Sequence, residues 1–168
     1  MAIDVRFFKK QKYDELTVEV IVDVTKKYMN VSKYKRVLTP VILESVYLYV
    51  NEIRINEHAD EVFVITEFFN SLACERKFPM FTCSCGIFGC GGFYIDVYHK
   101  KESVIWCTEQ SSNKKHIFSR ENIRFVAEEL IDKLTELNDV RKENGLQINY
   151  DIQAFQSELE IFLNHTKR

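Results

Sequence analysis

The sequence predicts an α+β fold, in which an antiparallel sheet with one interposed helix carries two C-terminal helices packed on one face. Two observations support this class. Residues 1–118 consist mainly of short apolar runs with the two-residue period of strands, whereas residues 119–168 repeat apolar side chains at the helical period. Because 168 residues are a usual length for one domain, we expect a single α+β domain over residues 1–168. It should be mainly sheet with one helix over 1–118 and a helical pair over 119–168.

The N-terminal third contains the clearest strand. Residues 16–25 alternate Leu and Val on one face with mostly polar side chains on the other, which indicates a half-buried strand. Residues 26–39 are polar and basic, and we interpret them as a connection with room for a short strand. Residues 41–55 are rich in Tyr, Val and Ile, and they fit one or two strands with a break at Asn51 and Glu52.

The next segment, residues 60–75, fits two structures. Residues 62–65 alone are typical of a strand, yet the apolar residues from 62 to 73 recur at helical spacing. We favour a helix, because Asp60 can cap it and the segment contains no turn residues.

A meander of three antiparallel strands is expected in the middle of the chain. A short polar turn over 100–103 separates the last two strands, which places Cys107 opposite Asp96. The predicted strands are residues 78–83, 93–99 and 104–108.

The C-terminal part reads as two helices after a polar loop over 109–116. Ser119 is a suitable N-cap for the first helix, and Gly145 is a natural stop. The second helix begins near Tyr150. The apolar stripe of the first helix consists of Ile123, Val126, Ala127, Leu130, Leu134 and Leu137.

Charge is distributed unevenly although the net charge is only −2. Residues 1–40 carry a net +4, residues 41–120 carry −2 and residues 121–168 carry −4. The balance argues against a dedicated nucleic-acid or membrane-surface protein, which would need a basic excess, and no run is long enough to span a membrane. The basic start fits either a solvated surface or a patch that meets an acidic protein partner. The candidate contacts for such a partner are Lys33, Lys35 and Arg36.

The cysteines predict both a compartment and a site. Five cysteines without a secretory signal indicate reduced thiols in the cytoplasm. Cys83, Cys85 and Cys90 lie within eight residues, and four of the five glycines of the chain lie within residues 83–92. Thiolates are common ligands of structural zinc, and glycines allow the tight backbone that such a site needs. If the last strand of the meander continued, His116 would lie opposite Ile87 and would be the best fourth ligand.

Two other interpretations of this segment remain open. The cysteines can pack under a glycine-rich turn as small apolar side chains, with no metal bound. Alternatively, Cys83 and Cys85 can form a reversible disulfide, although a C-x-C pair is close for relaxed strand geometry.

The same segment carries a resemblance to other proteins. The run TCSCGIFGCGGFYIDV, followed by VIW at 104–106, resembles a group of uncharacterised bacterial proteins with a turn of the form C-x-C-G-x-x-G-C-x-G. The similarity extends over about residues 45–135. It implies a small cytoplasmic bacterial protein of the accessory kind encoded near prophage or toxin–immunity loci, and it implies no activity.

The favoured function is protein binding, of the inhibitor or immunity type. The sequence has no nucleophile elbow, phosphate-binding loop, zinc-protease or dinucleotide motif, so an enzyme is not expected. Phe88, at the tip of the glycine-rich turn, either folds back on the sheet or anchors the partner. The alternatives are a small zinc-dependent or thiol enzyme that uses this turn, and an RNA-binding accessory module that uses the basic first forty residues.

Overall fold

The computed structural model describes residues 12–56, 58–87, 90–110 and 113–165. It confirms the α+β class, with antiparallel strands and three helices. In chain order, the elements are β1 (Leu16–Ser32), β2 (Lys35–Val50), β3 (Ile53–Arg54), β4 (Glu61–Phe63), α1 (Ile65–Ala73), β5 (Arg76–Cys83), β6 (Gly92–His99), β7 (Ser103–Thr108), β8 (Lys115–Ser119), α2 (Arg120–Glu143) and α3 (Ile152–Asn164).

The larger of two sheets has five antiparallel strands in the order β4-β5-β6-β7-β8. Its meander has the expected register, since Asp96 lies opposite Cys107. Side chains alternate across the sheet, so Ile95 and Trp106 are buried while Tyr94 and Tyr98 face solvent on the other side. The face that carries Ile95 and Trp106 therefore packs against the core.

The smaller sheet is a long hairpin of β1 and β2, extended by the short β3. The two long strands pair from Leu16 opposite Val50 to Ser32 opposite Lys35. The interpretation of residues 26–39 as a connection was therefore wrong, because both strands continue through it. A turn at Asn51 and Glu52, both with positive φ, separates β2 from β3 at the expected break.

The helix at 60–75 is shorter than expected. Glu61–Phe63 forms β4, and α1 begins only after Val64, so Asp60 is not its cap. The alternative prediction, a strand, is correct for the start of this segment, where Phe63 pairs with Phe81 of β5.

The C-terminal helices agree with the sequence pattern. The Ser119 hydroxyl accepts a hydrogen bond from the Asn122 N–H at 3.0 Å and caps α2. Gly145 has φ +70° directly after the helix end, and Asp151 caps α3. The predicted stripe of α2 is buried in full.

The core lies between the helices and the inner faces of both sheets. Trp106 is its centre, with edge-to-face contacts to Phe68 of α1 and Phe118 of β8. Helix α2 contacts β1 as well as β7 and β8, so it joins the hairpin to the five-stranded sheet. Among the described helices, none is both long enough and apolar enough to cross a membrane.

Candidate functional site

The first candidate region is the cysteine turn, residues 83–92, which connects β5 to β6. Cys83 is the last residue of β5 and is buried, whereas Cys85 and Cys90 are exposed. One sulfur from each of the three lies within 4.8 Å of the other two. The clustering in sequence therefore becomes a cluster in space.

The backbone of the turn is fixed by hydrogen bonds and by one close approach. The Ser84 N–H donates to the Asp60 carbonyl at 2.7 Å, and the Gly86 N–H donates to the Cys83 carbonyl at 2.9 Å. At Gly92, φ is +83° and a Cβ atom would collide with the Phe81 carbonyl oxygen. Only glycine fits there, so the strand that leaves the turn returns directly beside the strand that enters it.

When reduced, the three cysteines are close enough in space to share a metal ion. With zinc–sulfur bonds of about 2.3 Å, tetrahedral geometry separates two thiolate ligands by about 3.8 Å, which is compatible with a cluster inside 4.8 Å. The structure joins Cys83 and Cys85 in a disulfide, with Cα atoms 5.4 Å apart, within the usual range for such bonds. The same residues can thus form a disulfide or, when reduced, hold a metal.

His116 does not complete this set, so its prediction was wrong. The chain turns back after Thr108 and forms β8, which places His116 opposite Trp106 rather than Ile87. Strand β8 is at the far edge of the sheet, three strands from β5, or about 14 Å away at the usual strand spacing. The cysteine cluster includes no histidine or carboxylate among the described residues.

His116 instead belongs to the sheet edge near the N-terminal segment. Its ring stacks on Phe118 at 6.0 Å between centroids, and its Nδ1 lies 3.9 Å from the Asp14 carboxylate. Burial lowers the pKa of His116, and Asp14 partly opposes this shift. The residue is thus a packed histidine.

The second candidate region is the ribbon arm, residues 25–41, which is the part of the β1–β2 hairpin beyond the Val24–Ile42 pair. Seven residue steps from Thr25 to Ser32 give it a length of about 24 Å. Its tip carries all three predicted basic contacts, Lys33, Lys35 and Arg36, and all three are exposed. The other predicted contact, Phe88, lies outside the described residues.

Large apolar side chains are exposed on both faces of the ribbon arm. Tyr28 lies opposite Leu38 on one face, and Met29 lies opposite Val37 on the other. Their exposed fractions range from 40% to 72%, and Tyr34 at the tip reaches 89%. Isolated two-stranded hairpins are only marginally stable in water, and contiguous exposed apolar surface marks interaction sites.

The charge of the ribbon arm has one sign. Residues 25–41 contain five basic side chains and no acidic one. Within the part of the chain that the structure describes, no other strand pairs with the outer edges of this arm. It therefore offers a basic surface, apolar contacts and free backbone hydrogen-bonding groups together.

Comparison with known proteins adds no family. No family model, curated protein or solved structure matches the chain.

Sequence reasoning identified the residues of both regions but missed the geometry of the second. The hairpin turn lies at Lys33 and Tyr34, and neither residue is a usual turn former, so the sequence carries no clear signal for it.

Proposed function

We propose that this protein is a cytoplasmic bacterial accessory protein that binds another protein through its ribbon arm, as an inhibitor or immunity protein does. The single observation that carries the proposal is the arm itself, which is basic, exposes apolar side chains on both faces and pairs with no other described strand along its outer edges. Acidic side chains around an apolar surface on the partner would complement it. Charges at the rim of such an interface set the association rate, whereas the apolar residues supply the affinity.

A protein partner is favoured over RNA by the apolar content of the arm. RNA binding of this kind rests on basic side chains with aromatic stacking. Here Met29, Val31, Val37 and Leu38 are also exposed, and these side chains neither stack on bases nor contact phosphates. The net charge of −2 points the same way.

The test is affinity capture with two charge-reversal variants, one in the ribbon arm and one outside it. K33E/K35E/R36E changes the tip of the arm, and K114E/K115E changes two exposed lysines at the start of β8. We expect a protein that wild type and K114E/K115E retain in stoichiometric amount and that K33E/K35E/R36E loses. The isolated pair should then bind with the same ranking.

Two results would contradict the proposal. One is retention of every captured protein by K33E/K35E/R36E. The other is capture that disappears after nuclease treatment, which would assign the arm to nucleic acid.

We also propose that the reduced cysteine turn holds a structural zinc ion through Cys83, Cys85 and Cys90. The approach of the three sulfurs to within 4.8 Å supports this. A dithiol first reduces the Cys83–Cys85 disulfide, supplying two electrons and two protons and becoming a disulfide itself. Bound zinc would then tie the turn together and lower its tendency to reoxidise.

Metal analysis of reduced protein tests the zinc site. The variant C85S/C90S removes two exposed ligands, whereas C74S/C107S removes the two free cysteines outside the turn. We expect one zinc per chain for wild type and for C74S/C107S, and none for C85S/C90S. Absence of metal from reduced wild type, or equal retention by C85S/C90S, would leave the disulfide as the function of the turn.

A further inference from the structure

A cavity of about 580 Å³ lies away from both regions described above. It opens where the end of α1, the β6–β7 turn, the start of α2 and the end of α3 meet, at Cys74, Lys100, Arg120 and His165. Its volume is within the usual range of small-molecule sites, about 300–1,000 Å³.

The lining of this cavity is cationic. Lys100, Lys101 and Arg120 contribute three positive charges, against one carboxylate from Glu75. The Glu75 carboxylate already accepts the backbone N–H of His99. Among the described residues, no carboxylate forms an ion pair with either lysine or with Arg120. The three positive charges of the lining therefore exceed its one negative charge, and none of the three is held in an ion pair with a described carboxylate.

Arg120 is held in place and has an unused donor. Its Nη2 donates to the Phe162 carbonyl at 2.6 Å, its Nη1 donates to the Lys100 carbonyl at 3.4 Å, and its guanidinium lies 4.0 Å from the centre of the Phe162 ring. Its Nε is buried and has no hydrogen-bond partner among the described residues. A fixed guanidinium loses little entropy when it binds an anion, whereas its buried Nε is closed to solvent and to a ligand alike.

We propose that this cavity binds a small ligand through a phosphate group. Phosphate carries close to two negative charges and several strong acceptor oxygens, so it suits a cavity lined by three cations better than a ligand with one carboxylate does. Arg120 is also the first residue of the 24-residue helix α2, whose positive dipole end adds to the attraction. The site is independent of the ribbon arm and of the cysteine turn.

Titrations with inorganic phosphate and pyrophosphate at constant ionic strength test the proposal, with acetate as the monoanion comparison. Both phosphates should saturate the protein, and acetate should not. K100Q/K101Q should weaken binding about tenfold or more, since two charge-assisted contacts are lost. K100R/K101R should retain binding because it keeps the charges. The control K114Q/K115Q, whose lysines lie outside this cavity, should bind like wild type.

A second readout uses Cys74, which is exposed and lines the cavity. Bound pyrophosphate should slow its alkylation, followed by peptide mass spectrometry, and leave Cys107 unaffected. The proposal is overturned if neither phosphate saturates the protein by about 10 mM. Equal affinity of K100Q/K101Q and K114Q/K115Q overturns it as well.

Discussion

Antiparallel pairing continues through both halves of the β1–β2 hairpin, but one half packs on the core and the other is exposed to solvent. In the half nearest the helices, Leu16 and Leu48 are at most 1% exposed, because α2 covers that face. In the ribbon arm, the equivalent face carries Tyr28 and Leu38 at 72% and 46% exposure. Strand pairing therefore continues beyond the core that stabilises it, and the apolar side chains of the arm contribute little to stability. We expect mutations in the two halves to differ accordingly.

The largest difference is expected for a pair of leucines on this shared face. Leu48→Ala removes a fully buried side chain and should lower the free energy of unfolding by about 2–5 kcal/mol. Leu38→Ala, in the ribbon arm, should change it by less than about 0.5 kcal/mol. Urea denaturation of both variants measures this. A loss of similar size at Leu38 would mean that the arm is packed in solution.

A smaller loss is expected at the boundary between the halves, where Glu44 is held from two sides. The Tyr150 hydroxyl donates to Glu44 at 2.6 Å, and Arg141 pairs with it at 3.3 Å, with both charged side chains less than one-fifth exposed. Glu44→Gln should cost about 1–3 kcal/mol because it weakens both contacts. The control Glu19→Gln removes the same kind of contact, to Tyr49, on the exposed face and should cost less.

The same contact predicts a dependence on pH. The pKa of Tyr150 is raised above its ordinary value of 10.0, mainly by burial and to a smaller extent by the hydrogen bond to Glu44. The unfolded chain then releases the phenol proton first, so stability falls as pH rises above about 10. Denaturation at pH 8 to 11 should show a shallower fall in Glu44→Gln than in wild type. An identical slope would mean that Glu44 does not affect the ionisation.

A third comparison uses two asparagines. Asn122 of α2 accepts the Leu16 N–H at 2.8 Å and donates to the Leu16 carbonyl at 2.9 Å, which anchors the start of β1. Asn122→Ala leaves both backbone groups without this partner and should cost about 1–2 kcal/mol. In the ribbon arm, Asn30→Ala removes only an exposed bond to Arg36 and should have less effect. Thermal melts of the pair measure the difference, and equal shifts would contradict it.

These contrasts explain how far the sequence alone predicts the fold. The strand at 16–25 and the stripe of α2 were predictable because one face of each packs on the core. Apolar side chains therefore recur in the sequence at the period of the strand or of the helix. Residues 26–39 have no core to face, so their apolar and basic residues follow no simple alternation, and the strands there were missed. Their pairing depends on register carried outward from Leu16 and Val50.

For the candidate sites as well, residues close in sequence were predictable, and residues brought together from distant elements were not. Three cysteines within eight residues were brought together by a local turn, which sequence proximity can predict. The prediction of His116 as fourth ligand depended on the pairing register of a strand distant in sequence. The chain reverses between Thr108 and Lys115, so His116 lies opposite Trp106 on the edge strand β8, three strands from β5. The cationic cavity joins residues from four elements that are distant in sequence, so no local pattern could reveal it.

The smallest effect on stability is expected at the tip of the ribbon arm. K33E/K35E/R36E should alter the free energy of unfolding by less than about 0.5 kcal/mol, since exposed charges and an exposed hydrogen bond contribute little. Only Asn30 accepts from one of these side chains among the described residues, through the Arg36 Nε at 3.1 Å. Urea denaturation beside wild type measures this. The result decides how the capture experiment is understood: if stability is unchanged, loss of a partner means loss of contacts at the tip. If K33E/K35E/R36E is destabilised by more than about 1 kcal/mol, the tip supports the fold, and the difference between the two halves of the hairpin disappears.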